Sequence, residues 1–431
     1  MSAAFALLLA AQTFPPVLTG GKEFVTDTSE AFLKPTATFK PGVEIAKEAP
    51  TVDFLLFPGQ DYAGKPWSNW GDALFAKGKF YLSIGDHLAP AGNAFVYEYD
   101  PATKALRKIV DLQKVLNLPE GHYAPGKIHS RLDLGSDGCL YFSTHRGSTR
   151  VTTDQYHYKG DWIVRHDLAS GKSEAVTCGP VPKHCIPTSV LDPERMIFYG
   201  GTAAGSGGGD DDGVQFFAWD VKAGKLLHSC PGGPPRAMIL AKSTGRVYWT
   251  PGKADMVGSL LRWDPAKGGE PVKIAAELGL RAATAETPQG IVYTVAKGGK
   301  GTSATIYAFN TKTEEVEILG DAAVGSQAYI TTIDVDPTGR YLYYMPGAHG
   351  GSELDGTPIV QFDVKTRKRK VIAFLHPFIR GKYGCTPVGT FGAALDDKGE
   401  TLAVVWNVNR SGRAWDCTAL SVIHIPAAER P

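Results

Sequence analysis

Along most of this chain apolar and polar residues alternate with a period of two, and the alternation stops at short polar turns. Six stretches share one form, an apolar strand ending in an aromatic or His, then Asp or Asn, then a turn. They read VYEYDPATK, IVRHDLASGK, FFAWDVKAGK, LLRWDPAKGG, IYAFNTKTEE and IVQFDVKTRK, with the Asp or Asn at 100, 167, 220, 264, 310 and 363. Before each lies a strand rich in aromatic and β-branched residues: GKFYLSIG, GCLYFSTH, RMIFYGGT, GRVYWTPG, GIVYTVAKG and RYLYYMPG. A seventh copy, ETLAVVWN, precedes TALSVIHIP. Turns such as GSDG, DPER, KSTG, DPTG and DDKG come just ahead of these strands, and another apolar strand ahead of each turn.

The repeating unit is therefore strand, tight turn, strand, variable loop, strand, turn, strand, with a period of about 45–65 residues. Four-stranded antiparallel sheets repeated radially make a propeller. The expected fold is all-β, a seven-bladed β-propeller of four-stranded antiparallel blades spanning 51–431. Residues 12–50 are expected to pack on the ring or to complete its closing blade.

Composition adds constraints. Formal net charge is +1, from 45 basic and 44 acidic residues, so neither nucleic acid nor an anionic membrane is an expected partner. Gly (50) and Pro (29) suit a fold with many tight turns. Beyond the N-terminus no apolar run is long enough to span a bilayer. Residues 1–11, MSAAFALLLAA, resemble the end of a secretory signal without its positive flank. A secreted or periplasmic monomer is the expectation.

Six cysteines, 139, 178, 185, 230, 385 and 417, permit disulfides in an exported protein. Cys385 and Cys417 flank the seventh hairpin at one end, which suits a disulfide. Cys178, His184, Cys185 and Cys230 carry zinc-ligand chemistry without a strong zinc spacing, so a Cys178–Cys185 disulfide or a structural zinc both fit. The GGGDDDG run with Asp210, Asp211 and Asp212 reads as a solvated loop that could bind calcium through its carboxylates.

GKIHSRLDLGSDGCLYFSTHRGS, residues 126–148, carries His129 and His145 on two strands joined by GSDG. Antiparallel pairing around that turn sets residue 129 opposite about residue 144. Both imidazoles then share one end of blade two. The same rule run round the ring gathers Arg236, Arg281 and Tyr329 from the starts of innermost strands. The ends of second strands bring His87, Arg146, His349, Trp406 and Asn407. The following loops add Tyr156, Tyr158, Lys253 and Arg410. One face thus collects imidazoles, guanidinium groups and phenols around a funnel, while the other holds turns. Tyr199, in MIFYGG, fits either the core or the site.

GKIHSRLDLGSDGCLYFSTHRG followed by YKGDWIVRHD resembles blade two of secreted propeller polysaccharide lyases of the ulvan-lyase type, and more distantly oligogalacturonate lyases. The resemblance implies β-elimination of uronic-acid glycans in the funnel. It implies His129, His145, Tyr199 and Arg236 as catalytic, while placement round the funnel makes His87, Arg146, Tyr156, Tyr158, Arg281, His349, Trp406 and Asn407 the expected substrate-binding residues. The sequence departs from the family in blade three. Where the family often has LYGLTYP, this chain has FYGGTAAG, with Ala203 and Ala204 where the second tyrosine is expected. The chemistry still fits in outline. Elimination beside a uronate needs a cation on the carboxylate, a base for the α-proton and an acid for the leaving oxygen. Two other readings stay open: a non-catalytic propeller that binds glycan or protein, and a metal-dependent hydrolase or lactonase using Asp210–Asp212 and Asn407.

Overall fold

The Asp or Asn that recurs in the sequence is a turn device. Asp100 Oδ1 accepts from the backbone N–H groups of Ala102 and Thr103. Asp167, Asn310 and Asp363 do the same two and three residues ahead. A short polar side chain that bonds the backbone ahead of it reverses the chain, so each marks where a third strand turns into the outermost fourth.

The computed structural model describes residues 13–205, 213–252, 257–298, 304–410 and 415–430. The leader expected over 1–11, Asp210–Asp212 and Lys253 lie outside them. Seven sheets succeed one another along the chain, each built on four antiparallel strands running from the axis outward. Blades one to six take their strands in sequence order. Blade one runs from Leu74–Ala76 to Ala105–Asp111, and blade six from Ile333–Val335 to Lys368–Phe374.

Blade seven takes Thr386–Leu395, Thr401–Asn409 and Cys417–His424 from the C-terminal end of the chain. Its fourth strand, Thr51–Leu56, comes from the N-terminal part and pairs antiparallel with Cys417–His424. Phe24–Thr28 adds a fifth strand there, and Glu44–Ile45 pairs parallel with the outer strand of blade six. Residues 24–45 are thus tied to the ring through backbone pairing.

Asp53, on the closing strand, is wholly buried. It accepts hydrogen bonds from His424 Nε2 (2.9 Å), Lys104 Nζ (2.8 Å) and Thr26 Oγ1 (2.5 Å). One carboxylate links blade seven, blade one and the added strand. Burial opposes its charge, and the bonds from His424, Lys104 and Thr26 outweigh that and hold its pKa below the usual carboxylate value.

Near the axis, side chains of the innermost strands stitch neighbouring blades. Asp133 Oδ2 accepts from Leu191 N of blade three, and Asp334 Oδ2 from Leu395 N of blade seven. Asp72 Oδ1 accepts from Thr332 Oγ1 and Ala393 N. Arg131 Nε lies 3.0 Å from Asp133 Oδ1. Burial pushes Asp72 up to about 6, and burial plus the neighbouring charge of Asp72 pushes Asp334 to about 7, against the pull of Arg131.

Two outcomes follow. Asp53→Asn keeps the shape but removes the charge that three donors share. Its partners are part-exposed, so the expected loss is about 1–3 kcal/mol in chemical denaturation; unchanged stability would show that closure does not depend on this carboxylate. Folded Asp334 keeps its proton to about pH 7, whereas an unfolded aspartate releases it near about 3.9. As pH rises between those values the unfolded chain sheds a proton the folded chain retains, so this group's contribution to stability falls. Asp334→Asn cannot titrate, so its stability relative to the parent should improve from about pH 5 to about pH 8. The same difference at both values contradicts the raised pKa.

Candidate functional site

The innermost strand of blade two is broken. Lys127–Ile128 and Asp133–Leu134 both pair with Cys139–His145, but the residues between them do not. There Ser130 Oγ accepts from Ser143 N (2.9 Å) and donates to Ser143 O (3.2 Å), so one hydroxyl replaces a ladder rung. The register is Ile128 opposite Thr144 and Lys127 opposite His145, one residue from the expected pairing. The break frees the backbone at His129 to turn its ring toward blade three, where Nδ1 donates to the Pro187 carbonyl at 2.8 Å.

The His129 and His145 ring centroids lie 5.1 Å apart. The two imidazoles stand side by side. Nδ1 of His145 donates to the Arg146 carbonyl at 2.5 Å. A carbonyl can only accept, so in each neutral ring the proton sits on Nδ1 and Nε2 is the acceptor nitrogen. A histidine held in that tautomer is oriented to take a proton at Nε2.

Trp70 stands at the centre of the funnel floor. It precedes the first innermost strand, as Arg236, Arg281 and Tyr329 precede theirs. Its ring stacks on His129 (5.9 Å, 21°) and meets His87 (5.6 Å), His349 (5.7 Å), Phe391 (4.6 Å) and Trp415 (5.2 Å). Its Nε1 donates to Ser68 Oγ, which lies 3.1 Å from His87 Nδ1. Lys127 Nζ sits 4.3 Å from the Trp70 ring centroid, within cation–π range.

Beside this floor lies an axial cavity lined by Trp70, His129, Arg131, Arg236, Arg281 and Phe391 among others. Arg281 is buried, and its Nε donates to Tyr329 Oη at 2.8 Å. Its guanidinium carbon is 5.2 Å from the Tyr329 ring centroid and 5.9 Å from that of Phe391. Burial and the like charge of Arg236 pull the Arg281 pKa below the usual guanidinium value, although Tyr329 opposes them.

The imidazoles register the same field. Burial lowers His349 to about 4, helped by the charges of Arg281, Lys297, Lys127 and Arg236. Burial and then Lys127 lower His87 to about 3. Both rings are neutral at pH 7 because burial disfavours their charged form and nearby cations add to that cost. The funnel is thus cationic, aromatic and rich in neutral imidazole.

Several expected residues lie elsewhere. Tyr199 is fully buried and donates to the Gly245 carbonyl, in the turn before Arg246 on the opposite face. Burial pushes its phenol far above the usual value. Trp406 is buried within blade seven, with Nε1 donating to Ser421 Oγ. Asn407 is spent on the backbone of Asn69, accepting from its N–H and donating to its carbonyl. Arg146 donates to the carbonyls of Ala204 and Gly205, bridging blades two and three. Tyr158 is buried and donates to Asp161, and Tyr156 packs against the core between blades one and two. Arg410 pairs with Asp416 at 3.1 Å. The sequence rule placed strand ends correctly but not the direction of each side chain, and alternate residues of a strand face opposite sides. Trp70, Lys127, Lys297, Phe391 and Trp415 were not singled out from sequence. The signal for Trp70 was its place before Leu74–Ala76, a strand only three residues long.

The cysteine expectations also change. Cys385 and Cys417 are buried thiols and Cys178 an exposed one, none of them in a disulfide. Cys178 Sγ donates to the Gly160 carbonyl and Cys185 Sγ to that of Ala203. His184 Nδ1 meets Thr202 Oγ1 at 2.9 Å. These side chains do not converge on an ion. Among the described residues, the one set of three His, Cys or carboxylate ligand atoms within 4.8 Å of one another is His228, Cys230 and Glu270, outside the funnel.

No protein-family model and no curated protein sequence matches this chain. Solved structures do. An oligogalacturonate lyase in complex with manganese is 12% identical with a TM-score of 0.55, covering 94% of this chain and 98% of its own. An oligogalacturonate lyase from Vibrio parahaemolyticus is 11% identical with a TM-score of 0.54, covering 95% and 100%. A chain of the mitotic checkpoint complex is 13% identical with a TM-score of 0.51, covering 93% and 96%. Identities this low establish a shared propeller architecture, and the structural neighbours of this propeller include oligogalacturonate lyases.

Proposed function

We propose that this chain is an exported lyase that cleaves uronic-acid glycans by β-elimination in the funnel. The observation that carries the reading is the group of Lys127, Arg236, Arg281 and Lys297 around the Trp70 floor, whose charges add to burial in lowering the His349 pKa. Such a field favours an anionic ligand, and an indole face offers a rest for a sugar ring. The oligogalacturonate lyases among the structural neighbours add support by analogy only.

In this reading Arg236 and Arg281 hold the uronate carboxylate and stabilise the charge that develops when the α-proton leaves. His129, oriented through Nδ1, takes that proton at Nε2, with His145 beside it as proton acceptor or positioning partner. The leaving glycosidic oxygen needs a proton. Tyr199 is turned away and position 203 is alanine, so Tyr329 is assigned as acid. Its oxygen accepts from Arg281, which leaves its O–H to donate. The electron pair of the broken C–H bond forms the new double bond as the C–O bond breaks. Among the described residues, the funnel imidazoles do not bring three ligand atoms within 4.8 Å of one another.

The missing family tyrosine favours one second reading, a propeller that binds uronides without cleaving them. Purified protein on a panel of uronic-acid glycans separates the two, since cleavage produces the ultraviolet absorbance of an unsaturated uronate. His129→Ala and His145→Ala should each lower turnover by about a hundredfold or more, while Tyr199→Phe leaves turnover unchanged. Full activity in His129→Ala, or inactivity in a folded Tyr199→Phe, overturns the assignment. Binding without absorbance selects the second reading.

The field yields a separate outcome. In the free protein, proton NMR should show His349 titrating near about 4. A bound uronide oligomer brings carboxylates beside it and should move that midpoint upward. An unmoved midpoint under saturating oligomer places the carboxylates elsewhere.

A further inference from the structure

The outer strand of blade three, Lys225–Pro231, carries His228 and Cys230 two residues apart, hence on one face. That face looks toward blade four. The His228 ring stacks on Trp263 at 6.0 Å and 21°, and Cys230 is buried in the core that blades three and four share. Trp263 ends the third strand of blade four, and its Nε1 donates to the Gly269 carbonyl at 3.0 Å. Gly268 and Gly269 both take left-handed backbone angles, φ 62° and 73°, which glycine adopts without a Cβ penalty. The turn they shape delivers Glu270 to the same spot. One indole therefore orients the histidine and anchors the loop that carries the carboxylate.

The three donor atoms lie within 4.8 Å of one another. His228 Nε2 and Glu270 Oε2 are 3.9 Å apart, too far for a hydrogen bond. Two ligands of one tetrahedral zinc stand about 3.4–3.6 Å apart, given the usual metal–ligand lengths. His228 Nε2 is buried and has no hydrogen-bond partner, a costly arrangement that a bound cation relieves.

We propose that His228, Cys230 and Glu270 form a binding site for a zinc-class divalent cation that pins the rim of blade three to that of blade four. The mixed imidazole, thiolate and carboxylate set favours zinc or cobalt over calcium or magnesium, which take oxygen ligands. The Glu270 side chain is 80% exposed, so the fourth position opens to solvent and a water fills it. This site is separate from the funnel.

The test is titration of the metal-free full chain with Co2+, read by thiolate-to-cobalt charge-transfer absorption, alongside zinc-dependent thermal stability. One equivalent should saturate the band, and zinc should raise the melting temperature. Cys230→Ser should abolish the band, while Cys178→Ser, at the exposed thiol, keeps it. Glu270→Gln alters an exposed side chain and leaves the core intact, so it decides the matter if Cys230→Ser does not fold. It should weaken cobalt binding by about tenfold or more. Absence of a one-equivalent band in the parent overturns the proposal, as does undiminished affinity in Glu270→Gln. Neither readout depends on glycan cleavage.

Discussion

Closure of the ring is the constraint on which the rest depends. Thr51–Leu56 leaves the N-terminal part of the chain to become the outer strand of blade seven, so the last blade cannot form without the first residues of the repeat array. Asp53 lies wholly buried at that seam with donors from blade seven, blade one and the added strand. Once the ring is shut, each innermost strand must start at the axis. Trp70, Lys127, Arg236, Arg281 and Tyr329 reach one funnel because the starts of their five innermost strands have nowhere else to go.

The same closure makes the funnel electrostatically expensive. Lys127, Arg236, Arg281 and Lys297 all act on His349, and the protein answers with neutral imidazoles and with aromatic faces beneath the cations. A bound carboxylate would relieve that repulsion. Below the floor, Asp72, Asp133 and Asp334 face Arg131, and their bonds to backbone N–H groups of neighbouring blades join the funnel to the structural axis. The site and the joint between blades are built from adjacent residues of the same short strands.

Strand ends, blade number and the nearness of His129 to His145 were legible in sequence, because turn residues and period-two alternation mark them, although the register differs by one residue. Side-chain direction was less so. Tyr199 and Trp406 sit on strands that reach the right end of a blade, yet both point into the core. Asn407 and Arg146 lie near the funnel but are consumed by backbone groups that no pattern reveals. Trp70 escaped notice because Leu74–Ala76 is too short to show alternation. His228, Cys230 and Glu270 converge only through packing between two blades, and a spacing of forty residues between Cys230 and Glu270 carries no local signal.

The proposed activity requires that the cationic funnel receive a uronate. A crystal structure of the inactive His129→Ala chain with a uronide oligomer tests it most directly. The expected result is a sugar ring over Trp70 with its carboxylate within about 3 Å of the Arg236 or Arg281 guanidinium. An oligomer bound outside the funnel, or one inside it with its carboxylates turned to solvent, would contradict it.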